Sequence, residues 1–210
     1  MDAPAGPAAT VPNWAAEAIV EAGRRMYAQG LAQATSGNIS VRVDAERIAL
    51  TRSGTHKGFL DAGSVMLVDL AGRPCSPGRP SAETALHCQI YRLLPETGAV
   101  VHAHSVAGTV LSMAQRGPIR FAGYELIKAF AGQPTHDVSV ALPVFDNDQN
   151  IPRLAQVVEP VLLAGEAPLG YMIAGHGAYV WAADMPRALT HLEALEFLLA
   201  CELEKRKVLR

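Results

Sequence analysis

Apolar residues recur at near-helical spacing soon after the start of the chain: in WAAEAIVEAGRRMYAQ, Trp14, Ala18, Ala22 and Met26 share one stripe ahead of Gly30. That pattern predicts a first helix with Asn13 as its N-cap and Gly30 as its stop. β-Branched residues then take over in NISVRV and RIALT, and SVMLVDLAGRP closes on an Ala-Gly turn, so residues 38–75 are expected as strands joined by turns. Helical spacing returns in AETALHCQIYRLL, through Leu86, Ile90 and Leu93 with Ser81 as cap, and GAVVHAHS follows as a strand.

Further on, SVAGTVLSMAQ predicts a helix, GYELIKAF a short helix or ordered loop, and VSVALPVF a strand. IPRLAQVVEPVLLA has helical spacing interrupted by Pro160. LGYMIAGHG and AYVWA predict two strands separated by Gly175, His176 and Gly177. MPRALTHLEALEFLLACELEKRK is the longest amphipathic pattern, with Pro186 tolerated in its first turn. Strands cluster first and later alternate with helices, which predicts a mixed sheet covered on both faces: an α/β protein built as a three-layer α/β/α sandwich. Residues 13–210 are expected to form a single domain, after a disordered, Ala- and Pro-rich leader over residues 1–12 that lacks the marks of a signal peptide.

Composition narrows the function. Half of the 210 residues are hydrophobic and the formal charge is -2, which offers no basic surface for nucleic acid. No stretch has the apolar length needed to span a bilayer. Cys75, Cys88 and Cys201 are scattered and without CxxC spacing, so neither a disulfide framework nor a thiolate zinc site is expected, and a cytoplasmic location fits.

The candidate chemistry lies in the histidines. Along a strand His102 and His104 share a face about 6.6 Å apart, at the usual rise of about 3.3 Å per residue, and can converge on one ion, while Ala103 points into the opposite layer. The alternative is one core histidine satisfied by a hydrogen bond beside another at a strand end. His176, flanked by glycines that permit close backbone approach, is a credible third ligand. Three neutral imidazoles leave an open coordination position, as in catalytic metal sites; zinc is expected, although iron, nickel, cobalt or manganese would also accept this set.

Two turns, TSGN at 35–38 and TRSGTHKG at 51–58, offer hydroxyls, backbone N–H groups and Lys57, the parts of a phosphate grip without a nucleotide fingerprint. Ser81 adds a hydroxyl at a helix start. Glu83 falls in the first turn of that helix, where the macrodipole alone suffices to explain an acid. Glu125, between Tyr124 and Leu126, is expected to be partly buried with a raised pKa useful for acid/base work. Its alternative is a plain i, i+3 pair with Lys128.

TSGNISVR, TRSGTHKGFL, SAETALHCQIYR, GAVVHAHS and GHG stand in one order, and together they resemble the class II aldolase/adducin family over nearly the whole chain after the leader. GYELIKAFAGQPTH and PVFDNDQNIPRLA resemble one branch, whose members dehydrate a methylthiopentulose phosphate in methionine salvage. The resemblance implies a largely antiparallel central sheet, one zinc ion per subunit on His102, His104 and His176, and Glu125 as the catalytic acid/base. It also implies that Asn38, Ser53, Gly54 and Ser81 meet the substrate phosphate with His56 and Lys57 nearby, in a homotetramer with sites near subunit boundaries. In the aldolase branch the acid/base is the glutamate matched here by Glu83, so a sugar-phosphate aldolase or epimerase is the alternative enzyme. A non-catalytic, adducin-like binding protein is the alternative of another class.

Overall fold

The structure is a computed structural model that describes residues 9–115 and 117–209. Of the expected leader, residues 1–8 lie outside the described residues. Residues 9–12 do not behave as a free leader: the Ala9 amide donates to Cys75 O at 3.1 Å, and Ala9 and Val11 pack against the core.

The first helix, α1, spans Asn13–Ala28 and gives way at Gly30, whose φ of 73° suits a residue without Cβ. Its buried stripe is Ala15, Ile19, Ala22 and Met26, one position away from the expected start; Trp14 is 53% exposed. Asn13 is the first helical residue, and Pro12 holds the cap position without a side-chain bond. Strands β1 (Asn38–Arg42), β2 (Arg47–Thr51) and β3 (Val65–Asp69) then form an antiparallel meander. Asp44 closes its first turn by accepting from the amides of Glu46 and Arg47.

Helix α2 spans Thr84–Leu93, shorter than expected: Glu83 stands at the cap position, and Ser81 accepts from the Glu83 amide before the helix begins. It leads into β4 (Ala99–Ala103), α3 (Val106–Ala114, capped by Ser105) and β5 (Ile119–Ala122), a strand that the hydrophobic pattern did not reveal. VSVALPVF is split. Pro143 has no N–H to continue a ladder, so β6 (Ser139–Leu142) pairs with β5 in a small sheet, while β7 (Val144–Phe145) joins the main sheet parallel to β8 (Tyr171–Ile173). Helix α4 (Ile151–Leu163) continues through Pro160, which sits on an exposed face three residues from the helix end, where a carbonyl without a helical partner can face solvent. β9 (Gly177–Ala182) and α5 (Met185–Val208), capped by Asp184, complete the chain.

The main sheet has seven strands in the order β3-β2-β1-β4-β9-β8-β7, antiparallel except for the β7–β8 pair. Because side chains alternate across a pleat, Ala99, Val101 and Ala103 enter one core with Ile19, Leu192 and Leu195. Val100 enters the other with Leu86, Ile90, Leu154 and Val158. Helices α1, α3 and α5 cover one face, and α2 and α4 the other, which is the expected three-layer sandwich with a mixed, largely antiparallel sheet. No helix among the described residues is long and apolar enough to cross a membrane.

Candidate metal centre

Strand register builds the site. Asn38 of β1, His102 of β4 and Tyr179 of β9 lie directly opposite one another in three adjacent strands, so the pleat directs all three to the face covered by α2. Glu83, at the head of α2, meets that row. Its Oε2 accepts from Asn38 Nδ2 at 2.9 Å and from the Tyr179 hydroxyl at 3.0 Å, and lies 3.2 Å from His102 Nε2; its Oε1 lies 2.9 Å from His176 Nε2. Two further turns of the same helix stripe continue the seam, with His87 Nδ1 at 2.7 Å and Tyr91 OH at 3.0 Å from Ser40 Oγ on β1. A helix face at i, i+4, i+8 is thereby locked to one strand.

The three histidines converge. His104 stands just beyond β4, with its Nε2 2.9 Å from His102 Nε2. His176 comes in from the β8–β9 turn, and the ring centroids are 4.7 to 5.0 Å apart. One donor atom from each ring lies within 4.8 Å of the others. The turn is built for this approach: Gly175 holds φ 64° and donates its amide to Ser112 Oγ at 3.0 Å. A Cβ on Gly177 would collide with the Ala103 carbonyl and stand 2.8 Å from His102 Cε1.

The donor chemistry fits a cation. His102 is fully buried, stacked 4.1 Å from the Tyr179 ring, and its Nδ1 lies 2.9 Å from Ala178 O, a contact that requires Nδ1 to carry the proton. Its Nε2 is then a lone pair facing a carboxylate oxygen and a second imidazole nitrogen, an arrangement satisfied by a metal ion. Burial pushes His102 down to about 3 and His104 to about 4, so both rings are neutral and ready to ligate at neutral pH. For Glu83, burial works upward, but the hydrogen bonds from His176 and Tyr179, together with the electrostatic pull of the neighbouring imidazoles, outweigh it and hold the carboxyl well below the usual range.

A cavity of about 400 Å³ opens beside the cluster, lined by Glu83, His104, His176, Gly175, Asn147 and Gln149 among others. A larger one, about 500 Å³, touches Thr97 and Trp181 at the opposite end of the sheet and contains none of the three histidines.

The other residues singled out in the sequence are placed differently from one another. Lys57 is buried, and its Nζ donates to Thr35 O at 2.9 Å and Thr55 O at 2.7 Å, tying the two glycine turns together. Burial pushes it down to about 8 against the upward pull of Glu83. Gly54 holds φ 76° with open space around it, Ser53 joins Arg79 through its backbone, and the His56 ring accepts from Gly58 N while packing between Tyr27 and Phe59. Asn38 spends its amide on Glu83, and the Ser36 hydroxyl of the first turn is buried with no hydrogen-bond partner among the described residues. Glu125 departs from expectation. Its side chain is 66% exposed on a 3-10 turn, it pairs with Lys128 and faces His136 at 3.6 Å, and the Lys128 hydrogen bond lowers its pKa. The surface-pair alternative is what the chain adopts, because Ile127 is the buried residue of that turn and directs its neighbours outward. Tyr179 escaped sequence reasoning; its alternation with Gly177 was visible, but its place opposite His102 depends on strand pairing.

A family model for the class II aldolase and adducin N-terminal domain matches residues 17–203. The chain belongs to that family. A methylthioribulose-1-phosphate dehydratase from Granulibacter bethesdensis is 59% identical over 204 residues, covering 94% of each chain. One of the same name from Acidiphilium cryptum is 50% identical over 212 residues, covering 99% of this chain and 100% of that one. Among solved structures, an L-fuculose 1-phosphate aldolase matches with a TM-score of 0.79 at 19% identity, covering 95% of this chain and 89% of that one. The L-fuculose-1-phosphate aldolase from Thermus thermophilus matches with 0.71 at 25%, covering 90% and 94%. These two share the fold.

Proposed function

We propose that this chain is a zinc-dependent lyase that dehydrates 5-methylthioribulose 1-phosphate to 5-methylthio-2,3-dioxopentyl 1-phosphate in methionine salvage. The observation that carries the substrate is the 50–59% identity, over essentially full length, to relatives of that name. The metal rests on the three converging imidazoles and on the neutral state of His102 and His104.

His102, His104 and His176 would hold one zinc ion per subunit, which when bound supplies a Lewis acid for the C2 carbonyl and charge to offset the anion left by proton loss. The chain's own residues do the rest. Glu83 is clamped by Asn38 and Tyr179, so it lines the cavity as a fixed anion that keeps His176 oriented. The two glycine turns joined by Lys57, with Asn38, Ser53, Gly54, His56 and Ser81 around them, would grip the phosphate and so orient C3 and C4. Glu125 would take the C3 proton; the C4 hydroxyl leaves as water with that proton, and the enol ketonises.

In one chain Glu125 pairs with Lys128 and His136 and does not line the cavity beside the histidines. We therefore assign it to the site of an adjoining subunit in a cytoplasmic homotetramer. That apposition would bury it and weaken its hold on Lys128, raising its basicity.

Glu83, in contact with two of the histidines, favours a second reading in which it is the base of an aldolase or epimerase. Purified chain assayed with methylthioribulose 1-phosphate separates these readings. Chelator-sensitive loss of water is expected; carbon–carbon cleavage would replace the proposal with the second reading, and absence of metal and turnover with the adducin-like binding role.

A further inference from the structure

The loop between β7 and α4, residues 146–150, has five consecutive polar side chains with two separate occupations. Asp148 and Asn150 turn back to the helix. Asp148 accepts from the Asn150 amide at 2.8 Å and from Arg153 Nη2 at 2.8 Å, and Asn150 caps α4 by accepting from Arg153 N at 3.1 Å. Asn147 and Gln149, the residues on either side of Asp148, line the cavity that holds His104, His176 and Glu83. Among the described residues their side chains bond only to each other, in a long contact from Gln149 Nε2 to Asn147 Oδ1 at 3.4 Å. The loop is also registered to the metal cluster, since Ala174 N donates to Phe145 O at 2.8 Å immediately before the Gly175–His176 turn.

The loop thus satisfies its own backbone with one pair of side chains and presents the other pair to the cavity. We propose that Asn147 and Gln149 bind the hydroxyl groups of the substrate's carbon chain, on the wall facing the histidines, and so select a hydroxylated substrate. Carboxamides suit that task. Each offers two donors and an acceptor, which matches a hydroxyl's dual character. Being neutral, they add no second anion beside Glu83, and they do not compete for the cation as carboxylates would. A site built to hydrogen-bond hydroxyls rejects an analogue that lacks them, because its own polar groups are then left unpaired.

The inference rests on the proposed reaction only for the identity of the substrate, so it is tested by binding. Ribitol 1-phosphate keeps the hydroxyls but has no carbonyl and cannot be dehydrated; pentyl phosphate has neither. Calorimetric titration of the zinc-loaded full chain should show ribitol 1-phosphate binding about 10-fold more weakly to Asn147→Leu and to Gln149→Met. Pentyl phosphate affinity should be unchanged, as should metal content and melting temperature, both side chains being exposed. Equal weakening of both ligands, no weakening of either, or no binding of ribitol 1-phosphate to the wild type would each overturn the inference. Wild-type binding with the expected variant losses, but no water loss from methylthioribulose 1-phosphate, would leave the inference standing and remove the proposed reaction.

Discussion

Glu83 and Glu125 are both acids with a claim on the chemistry, and the fold treats them in opposite ways. Glu83 is enclosed between α2 and the sheet, with Asn38, Tyr179, His102 and His176 all within 3.2 Å. Glu125 stands on the surface, engaged among the described residues by Lys128 and His136. Both carboxyls are lowered, Glu83 by hydrogen bonding and charge that outweigh its burial, and Glu125 by the Lys128 hydrogen bond. The difference is in what can change. Glu83 would need four contacts rearranged before it could act as a strong base, whereas Glu125 needs only to exchange Lys128 for an apposed surface.

The largest effect should come from emptying the centre that both acids are compared against. His176→Ala removes one of three converging donors and is expected to lower dehydration by about 10³-fold, with metal lost by elemental analysis. Next, Glu125→Gln should lower turnover by about 10²-fold while zinc content stays at the wild-type value, since within its own chain the side chain meets Lys128 and His136 rather than the three converging histidines. Wild-type turnover in that variant would transfer the base role to Glu83. Glu83→Gln should instead act through the metal, weakening zinc affinity by about 10- to 100-fold and lowering stability, because it removes a charge that orients His176. A Glu83→Gln protein with full zinc affinity would break the contrast between an enclosed, structural acid and an exposed one.

A separate effect, on stability rather than on the site, concerns a third acid. Glu196 on α5 is pushed up to about 7 by burial, with the Ser105 hydroxyl that caps α3 working the other way. Between about pH 4.5 and 7 the unfolded chain releases a proton that the folded chain retains, so stability falls as pH rises through that window and levels off above it. Glu196→Gln should abolish this decline and gain up to about 3 kcal/mol above pH 7, measured by denaturation from pH 4 to 8. An unchanged slope would show that the carboxyl is already ionised in the fold.

Much of this was legible in local pattern. The spacing of His102 and His104, the glycines around His176, and the helical stripes of α2 and α5 each report which way neighbouring side chains point, and that is set within a few residues. Where local pattern misled, a distant partner made the choice. VSVALPVF reads as one strand, yet its halves belong to two sheets because β5 and β8 lie on different sides of Pro143. The apolar neighbours of Glu125 suggested burial, but only Ile127 of that turn enters the core.

By itself, then, the sequence determined the layered α/β architecture, the strand whose end holds His102 with His104 just beyond it, and the glycine turn that frees a third ring to approach. Only the tertiary structure decided that Asn38, His102 and Tyr179 form one row under Glu83, that Asn147 and Gln149 face the same cavity, and that Glu125 lies outside it. The physical reason is range. The face of a residue follows from backbone periodicity a few positions long, whereas its partner follows from strand order and register, which are settled by packing across the whole sheet.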